Sequence, residues 1–158
     1  MGDALRGIIP RYRALAERGQ VELSTTPDTH PLAPLLLDFA SAHEAQPDLP
    51  LPQSHFYPGG RSRIDRHIAL ARDSHARRFG QAPAGMWPAE GAVSSAFLQQ
   101  LATQGCRWAA SSQGVLANSL RRKHADSPKS PVYRPWRIEA APGLAVFFRD
   151  EKLSDLIG

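Results

Sequence analysis

The chain has 158 residues, 42% of them hydrophobic and 22% charged, and a formal net charge of +4. That composition belongs to a globular protein with a core and excludes whole-chain disorder, while the length suits one domain and falls short of the roughly 250 residues of a closed eight-strand β/α barrel. The basic residues are scattered among acids, and the densest run, Arg121-Arg122-Lys123-His124, reads as a solvated loop without the interleaved aromatics that stack bases, so no nucleic-acid partner is expected.

The first segment opens at Asp3 and sets Leu5, Ile8, Ile9, Tyr12 and Leu15 at helical spacing, with Pro10 bending or starting the helix and Gly19 stopping it. Residues 21–26, Val-Glu-Leu-Ser-Thr-Thr, are β-prone and predict a short strand halted by Pro27. The apolar run over residues 32–45 is long enough to predict a buried helix, and a Pro-rich linker follows over residues 46–58. Residues 62–80 form the clearest element. Ser62 and Asp65 make a capping-box pattern, Ile64, Ile68, Ala71 and Phe79 share one face, and Gly80 supplies the stop. Residues 85–87 read as a short buried strand. Residues 92–103 read as a helix with Phe97, Leu98 and Leu101 inward, ended by Gly105. A strand over residues 106–111, a loop carrying Pro128, Pro131 and Pro135, and a last strand over residues 144–148 complete the order.

Strands alternating with helices predict an α/β fold with a mainly parallel sheet, whose chemistry gathers at the C-terminal ends of the strands. Glu22, Glu90, Ser111 and Asp150 all fall late in a predicted strand or just after one. The single cysteine, Cys106, excludes an internal disulfide and suits a small buried filler in a reducing compartment. No apolar run reaches membrane-spanning length and the first residues lack a signal peptide's apolar core, so a cytoplasmic protein with no membrane partner is expected.

The stretch of most chemical interest is Gly85-Met86-Trp87-Pro88-Ala89-Glu90-Gly91-Ala92-Val93-Ser94, where an acid sits between an apolar strand and a helix start. Backbone N–H groups and the positive end of a helix would keep Glu90 ionised, and an ionised carboxylate can attack an anomeric carbon. Glycosidases use two carboxyl groups, about 5–5.5 Å apart for retention and wider for inversion. Trp87 offers a flat face on which a sugar ring could stack. A Glu in the first turn of a helix is also a common dipole-stabilising residue, and the local pattern alone does not separate the two roles.

Three stretches resemble glycoside hydrolase family 57, in order. They are Gly19-Gln20-Val21-Glu22-Leu23-Ser24-Thr25-Thr26-Pro27 with His30-Pro31, then Phe79-Gly80 with Pro83 and residues 85–94, then Trp108-Ala109-Ala110 with Gly114-Val115-Leu116. The first two are similar to the second and third of that family's five conserved regions. The resemblance implies a retaining enzyme of α-glucans or maltooligosaccharides acting through a covalent glycosyl-enzyme, with Glu90 as nucleophile. Glu22, His30 and Trp87 would be substrate contacts, and no cofactor or metal would be needed. It also implies an incomplete, seven-strand (β/α) barrel, of which residues 1–158 would be one internal, incomplete piece of the catalytic domain.

The chain departs from the family in ways that carry expectations of their own. Nothing before Gly19 resembles the family's His-Gln-Pro segment, and no segment resembles that of its general-acid Asp. An acidic pair is expected after Trp108, but Ser111, Ser112 and Gln113 stand there. Asp150 could be proposed as the acid, yet Arg149 beside it would lower its pKa, so a salt-bridge or substrate-binding role fits it better. The expectation is therefore a chain inactive by itself, with sheet edges that invite self-association.

Two other readings stay open beside this one. A metal-dependent polysaccharide deacetylase-like hydrolase would want paired His ligands and an Asp, whereas His30, His43, His55, His67, His75 and His124 supply no helical i, i+4 pair. A non-catalytic carbohydrate-binding fragment could use Trp87, Trp108 and Trp136 as stacking faces, although core packing suits the latter two. A serine hydrolase would need a Gly-x-Ser-x-Gly elbow, which is absent, and Ser94 and Ser95 read instead as helix-start residues.

Overall fold

The computed structural model describes residues 2–44, 46–123 and 131–157. Helix α1 (Gly2–Glu17) runs through Pro10 without ending, and Gly19, at φ 67°, closes it as expected. Residues 21–26 are extended but do not form the predicted strand. One parallel bridge joins Thr25 to Met86, and the Trp87 N–H donates to the Thr25 carbonyl at 2.7 Å. The neighbouring strand β1 (Gly85–Met86) is two residues long, so no longer ladder can form against it.

The single helix predicted over residues 32–45 is broken in two. Helix α2 (Ala33–Leu37) stops at Asp38, whose backbone is extended at φ −160°. The Asp38 Oδ1 accepts the Ala40 N–H at 2.8 Å, and the chain resumes as a 3-10 turn over Phe39–Glu44. A short polar side chain that bonds its own neighbouring backbone competes with the helix, and here it wins over the apolar pattern. Among these residues only Ala33 and Pro34 are buried.

Helix α3 (Gly60–Phe79) begins two residues before the expected start, and its capping box does not form. Ser62 donates to the Gly59 carbonyl at 3.0 Å. The Asp65 carboxylate instead accepts from Gln100 Nε2 at 2.9 Å and Gln104 Nε2 at 3.0 Å, tying α3 to α4 (Ser95–Thr103). The buried stripe is Ile64, Ile68, Ala71 and His75, with Phe79 half-buried beside the His75 ring, and Gly80 ends the helix at φ 84°. Helix α4 starts three residues later than predicted, because Ser94 caps it by accepting the Phe97 N–H at 3.3 Å.

The sheet contains β1, β2 (Trp108–Ser112), β3 (Trp136–Ile138) and β4 (Ala141–Arg149), in the order β1-β2-β4-β3. The first three in that order run parallel and β3 runs antiparallel to β4. Met86, Ala109 and Val146 stand side by side in register and are at most 1% exposed. They share one core with Ile64 and Ile68 of α3 and with Phe97, Leu98 and Leu101 of α4. A mostly parallel sheet with helices on one face is what part of a (β/α) barrel looks like. The other face carries Trp108 and Phe147, edge-to-face at 6.2 Å, with Phe147 44% exposed.

Three elements escape the sequence reading. Helix α5 (Gln113–Arg122) follows β2 directly, capped by Ser112, so Arg121 and Arg122 lie in its last turn and not in a loop. His124 and Pro128 lie outside the described residues. Strand β3 pairs with β4 only from Ala141 to Val146. Helix α6 (Glu151–Ile157) begins at Asp150, which caps it by accepting the Leu153 N–H at 2.9 Å. No helix among the described residues is long and apolar enough to cross a membrane.

Candidate active site

The C-terminal ends of the parallel strands meet at a cleft of about 170 Å³ lined by His30, Trp87, Glu90, Gly91, Ser111, Ser112 and Arg149. Trp87 directly follows β1, Ser111 and Ser112 end β2, and Arg149 ends β4. The cleft is smaller than the about 300–1,000 Å³ usual for a small-molecule site, so it suits one part of a larger binding surface.

Glu90 sits in a 3-10 turn, Ala89–Gly91, and its own backbone is left-handed at φ 55°, ψ 18°. Its side chain is 75% exposed and accepts from the His30 ring, with His30 Nε2 3.1 Å from Glu90 Oε1. The His30 Nδ1 lies 3.3 Å from the Thr26 hydroxyl. Both contacts are satisfied by the tautomer protonated at Nε2, with the Thr26 O–H donating to Nδ1. The carboxylate's partner is thus a histidine ring, and not the helix N–H groups expected from sequence, because α4 begins only at Ser95.

Thr29, His30 and Glu90 are the non-glycine residues with positive φ among those described, at 58°, 57° and 55°. Each costs about 1–2 kcal/mol against an ordinary helical or extended conformation. Two of the three touch each other across the cleft. Residues held against their conformational preference concentrate where a side chain must be aimed.

The remaining expected residues lie nearby but differently engaged. Glu22 accepts from the Trp108 indole Nε1 at 2.5 Å, so it is held against the uncovered face of the sheet and does not line the cleft. Trp87 does line it and is half-buried. Asp150 points to Tyr133 and to the Leu153 N–H. Its carboxyl is held below the ordinary range first by the Tyr133 hydroxyl and then by that backbone donor, and not by the Arg149 charge expected from sequence. Trp136 donates to the Pro131 carbonyl at 2.8 Å and carries Arg134 over its ring, a structural setting. Cys106 is buried, which pushes its thiol up even beside Arg72.

Arg149 and Ser112 are cleft residues that sequence reasoning passed over as site residues. The available signal for Arg149 is its place directly after the strand predicted over residues 144–148, where the observed β4 continues to include it. Among the lining residues described, Glu90 is the sole carboxylate. Among the described residues no group of three or more His, Cys, Asp or Glu side chains is placed to hold a metal ion.

The fold is shared with much larger enzymes. The chain is similar to the crystal structure of the novel α-amylase AmyC from Thermotoga maritima, at 20% identity and TM-score 0.62 over 92% of this chain. It is also similar to the family 57-type branching enzyme of Pyrococcus horikoshii, at 18% identity and TM-score 0.62 over 95%. A third likeness is to 4-α-glucanotransferase from Thermococcus litoralis, at 18% identity and TM-score 0.59 over 94%. The chain spans only 23%, 26% and 19% of those structures' own lengths, respectively. No curated protein matches it. Residues 3–158 match the sequence profile of Glycosyl hydrolase family 57, and the chain belongs to that family.

Proposed function

We propose that this chain carries the nucleophile of a retaining α-glucan hydrolase or glucanotransferase, with Glu90 attacking the anomeric carbon to form a glycosyl-enzyme. The observation that carries the reading is the position of Glu90: exposed, at the C-terminal rim of a parallel sheet, in a strained turn, with its Oε1 on the His30 ring. A substrate-facing carboxylate held by one ring N–H and otherwise open to solvent is poised to bond carbon. In this reading His30 orients the carboxylate and Trp87 presents a face to the sugar, with Arg149 also lining the cleft. Glu22 and Asp150 contact more distant parts of a glucan chain. The sheet belongs to a seven-strand (β/α) barrel, residues 1–158 being one incomplete piece of its catalytic domain, and the lone thiol suits a cytoplasmic setting.

Retention takes a second carboxyl group about 5–5.5 Å from the first, acting as general acid. Glu90 is the sole acid among the described cleft residues. With no second carboxyl group among the described cleft residues to protonate the leaving oxygen, turnover of an unactivated maltooligosaccharide should fall by a factor of about 10²–10⁴. A fluorinated α-glucosyl fluoride needs no such donor, because fluoride leaves unaided. Intact-mass and peptide analysis should find one glycosyl group on Glu90 in this chain and none in Glu90→Gln. A wild-type chain that stays unlabelled, or one labelled elsewhere, removes Glu90 from its role.

A further inference from the structure

Within the cleft's lining, one buried contact ties the turn on which Glu90 stands to the sheet. Ser111 is fully buried near the end of β2, and its Oγ donates to the Gly91 carbonyl at 2.6 Å. Gly91 follows Glu90 directly and is itself left-handed at φ 67°, so two consecutive residues leave the ordinary backbone regions. Each end of this turn is fastened. Before it, the Trp87 N–H is bonded to the Thr25 carbonyl at 2.7 Å. Inside it, the Gly91 N–H reaches the Pro88 carbonyl and the Ala92 N–H the Ala89 carbonyl, both at 2.9 Å. After it, the outward tie to the sheet is the Ser111 hydroxyl.

We propose that Ser111 is a positioning residue for the glycosyl-transfer step: its hydroxyl clamps the Gly91 carbonyl and thereby fixes the left-handed Glu90 backbone that aims the carboxylate at the sugar. The inference rests on the nucleophile reading of Glu90 for its catalytic meaning, while the clamp itself is a property of the backbone. A serine fits because its side chain is short enough for a fully buried site and its hydroxyl donates without bringing a charge. Removing the donor leaves a buried carbonyl unsatisfied and lets the strained turn relax toward ordinary backbone angles. Displacement of a reacting group by about 1 Å can cost about 10²-fold in rate.

The test compares wild type, Ser111→Ala and Ser111→Thr in two measurements. In the first, the fluorinated α-glucosyl fluoride reports the maximal labelling rate at Glu90 separately from the half-saturating concentration. Ser111→Ala is expected to lower the maximal rate by about 10–10²-fold with the half-saturating concentration nearly unchanged, and Ser111→Thr, which keeps the hydroxyl but adds a buried methyl, to recover part of it. In the second, amide hydrogen exchange is followed at Gly91 and Ala92, where Ser111→Ala should exchange about five- to tenfold faster while the β2 and α4 amides keep their protection. Equal, measurable maximal rates in wild type and Ser111→Ala, or unchanged exchange at Gly91 and Ala92, overturn the clamp. A wild-type chain that takes no label while Ser111→Ala loosens those two amides overturns the nucleophile reading and leaves the clamp standing.

Discussion

The two faces of the sheet are built from alternate residues of the same strands, and they meet opposite fates. On the helix-covered face Met86, Ala109, Leu144 and Val146 are at most 1% exposed and share a core with Phe97 and Leu101. On the other face Trp108 is half-buried, Phe147 is 44% exposed, and Glu22 holds the Trp108 indole. The covered face is apolar and closed, so its energy comes from removing hydrocarbon from water. The uncovered face ends in Trp87 and Arg149, two walls of the cleft. A shift of one residue along a strand separates packing from chemistry, because side chains alternate with period two.

The contrast can be broken from either side, and the largest effect is expected in the covered core. Phe97→Ala should destabilise by about 3–5 kcal/mol, by loss of apolar transfer energy and by the cavity left among Ile64, Ile68 and Leu101. Phe147→Ala, its counterpart on the uncovered face, should cost about 1 kcal/mol or less. Urea unfolding of the two variants measures both, and equal losses would erase the distinction between the faces.

An intermediate effect is expected at Gly85, where an added methyl would lie 1.8 Å from the Trp108 ring. Gly85→Ala must push that ring aside, which strains its bond to Glu22 and should cost about 1–3 kcal/mol. Loss of stability together with a shifted Trp108 fluorescence maximum is the expected pair of results. An unchanged spectrum would show that the ring had room to move.

The smallest effect belongs to the rim. The Asp150 carboxyl is depressed first by the Tyr133 hydroxyl and next by the Leu153 N–H. A depressed carboxylate stabilises the fold above its unfolded pKa, and that contribution disappears as pH falls through the folded value. Tyr133→Phe should raise the Asp150 pKa toward the ordinary carboxylate range and move the onset of that loss to higher pH. Carbon NMR titration of the Asp150 carboxyl reads this directly, and an unmoved titration would assign the depression to the backbone donor alone.

What the sequence made legible follows from how local each signal is. The stop at Gly80, the inward Phe97, Leu98 and Leu101, and the β1-to-Glu90 connection are set by neighbours in the chain, and all appear where periodicity and glycine place them. The helix over residues 32–45 failed because one aspartate at position 38 bonds its own backbone, an effect that apolar periodicity does not register. Asp65 looked like a cap and is instead a bridge to Gln100 and Gln104, partners 35 and 39 residues away. The motif around Glu90 marks it as a candidate, but its partner His30 lies 60 residues earlier, and no local pattern announces that contact. Arg149 lies one residue past the strand predicted over residues 144–148, and the longer observed β4 is what puts it on the face opposite Val146 and Phe148.

The partial coverage of β4 by β3 has a consequence for how this sheet can be extended. Because β3 stops opposite Val146, the backbone from Phe147 to Arg149 has no strand on that side among the described residues. An incoming strand is steered to that upper half, since the lower half is already taken by an antiparallel neighbour. Whatever joins there would bring its own residues within reach of Arg149, at the end of the sheet that carries the cleft.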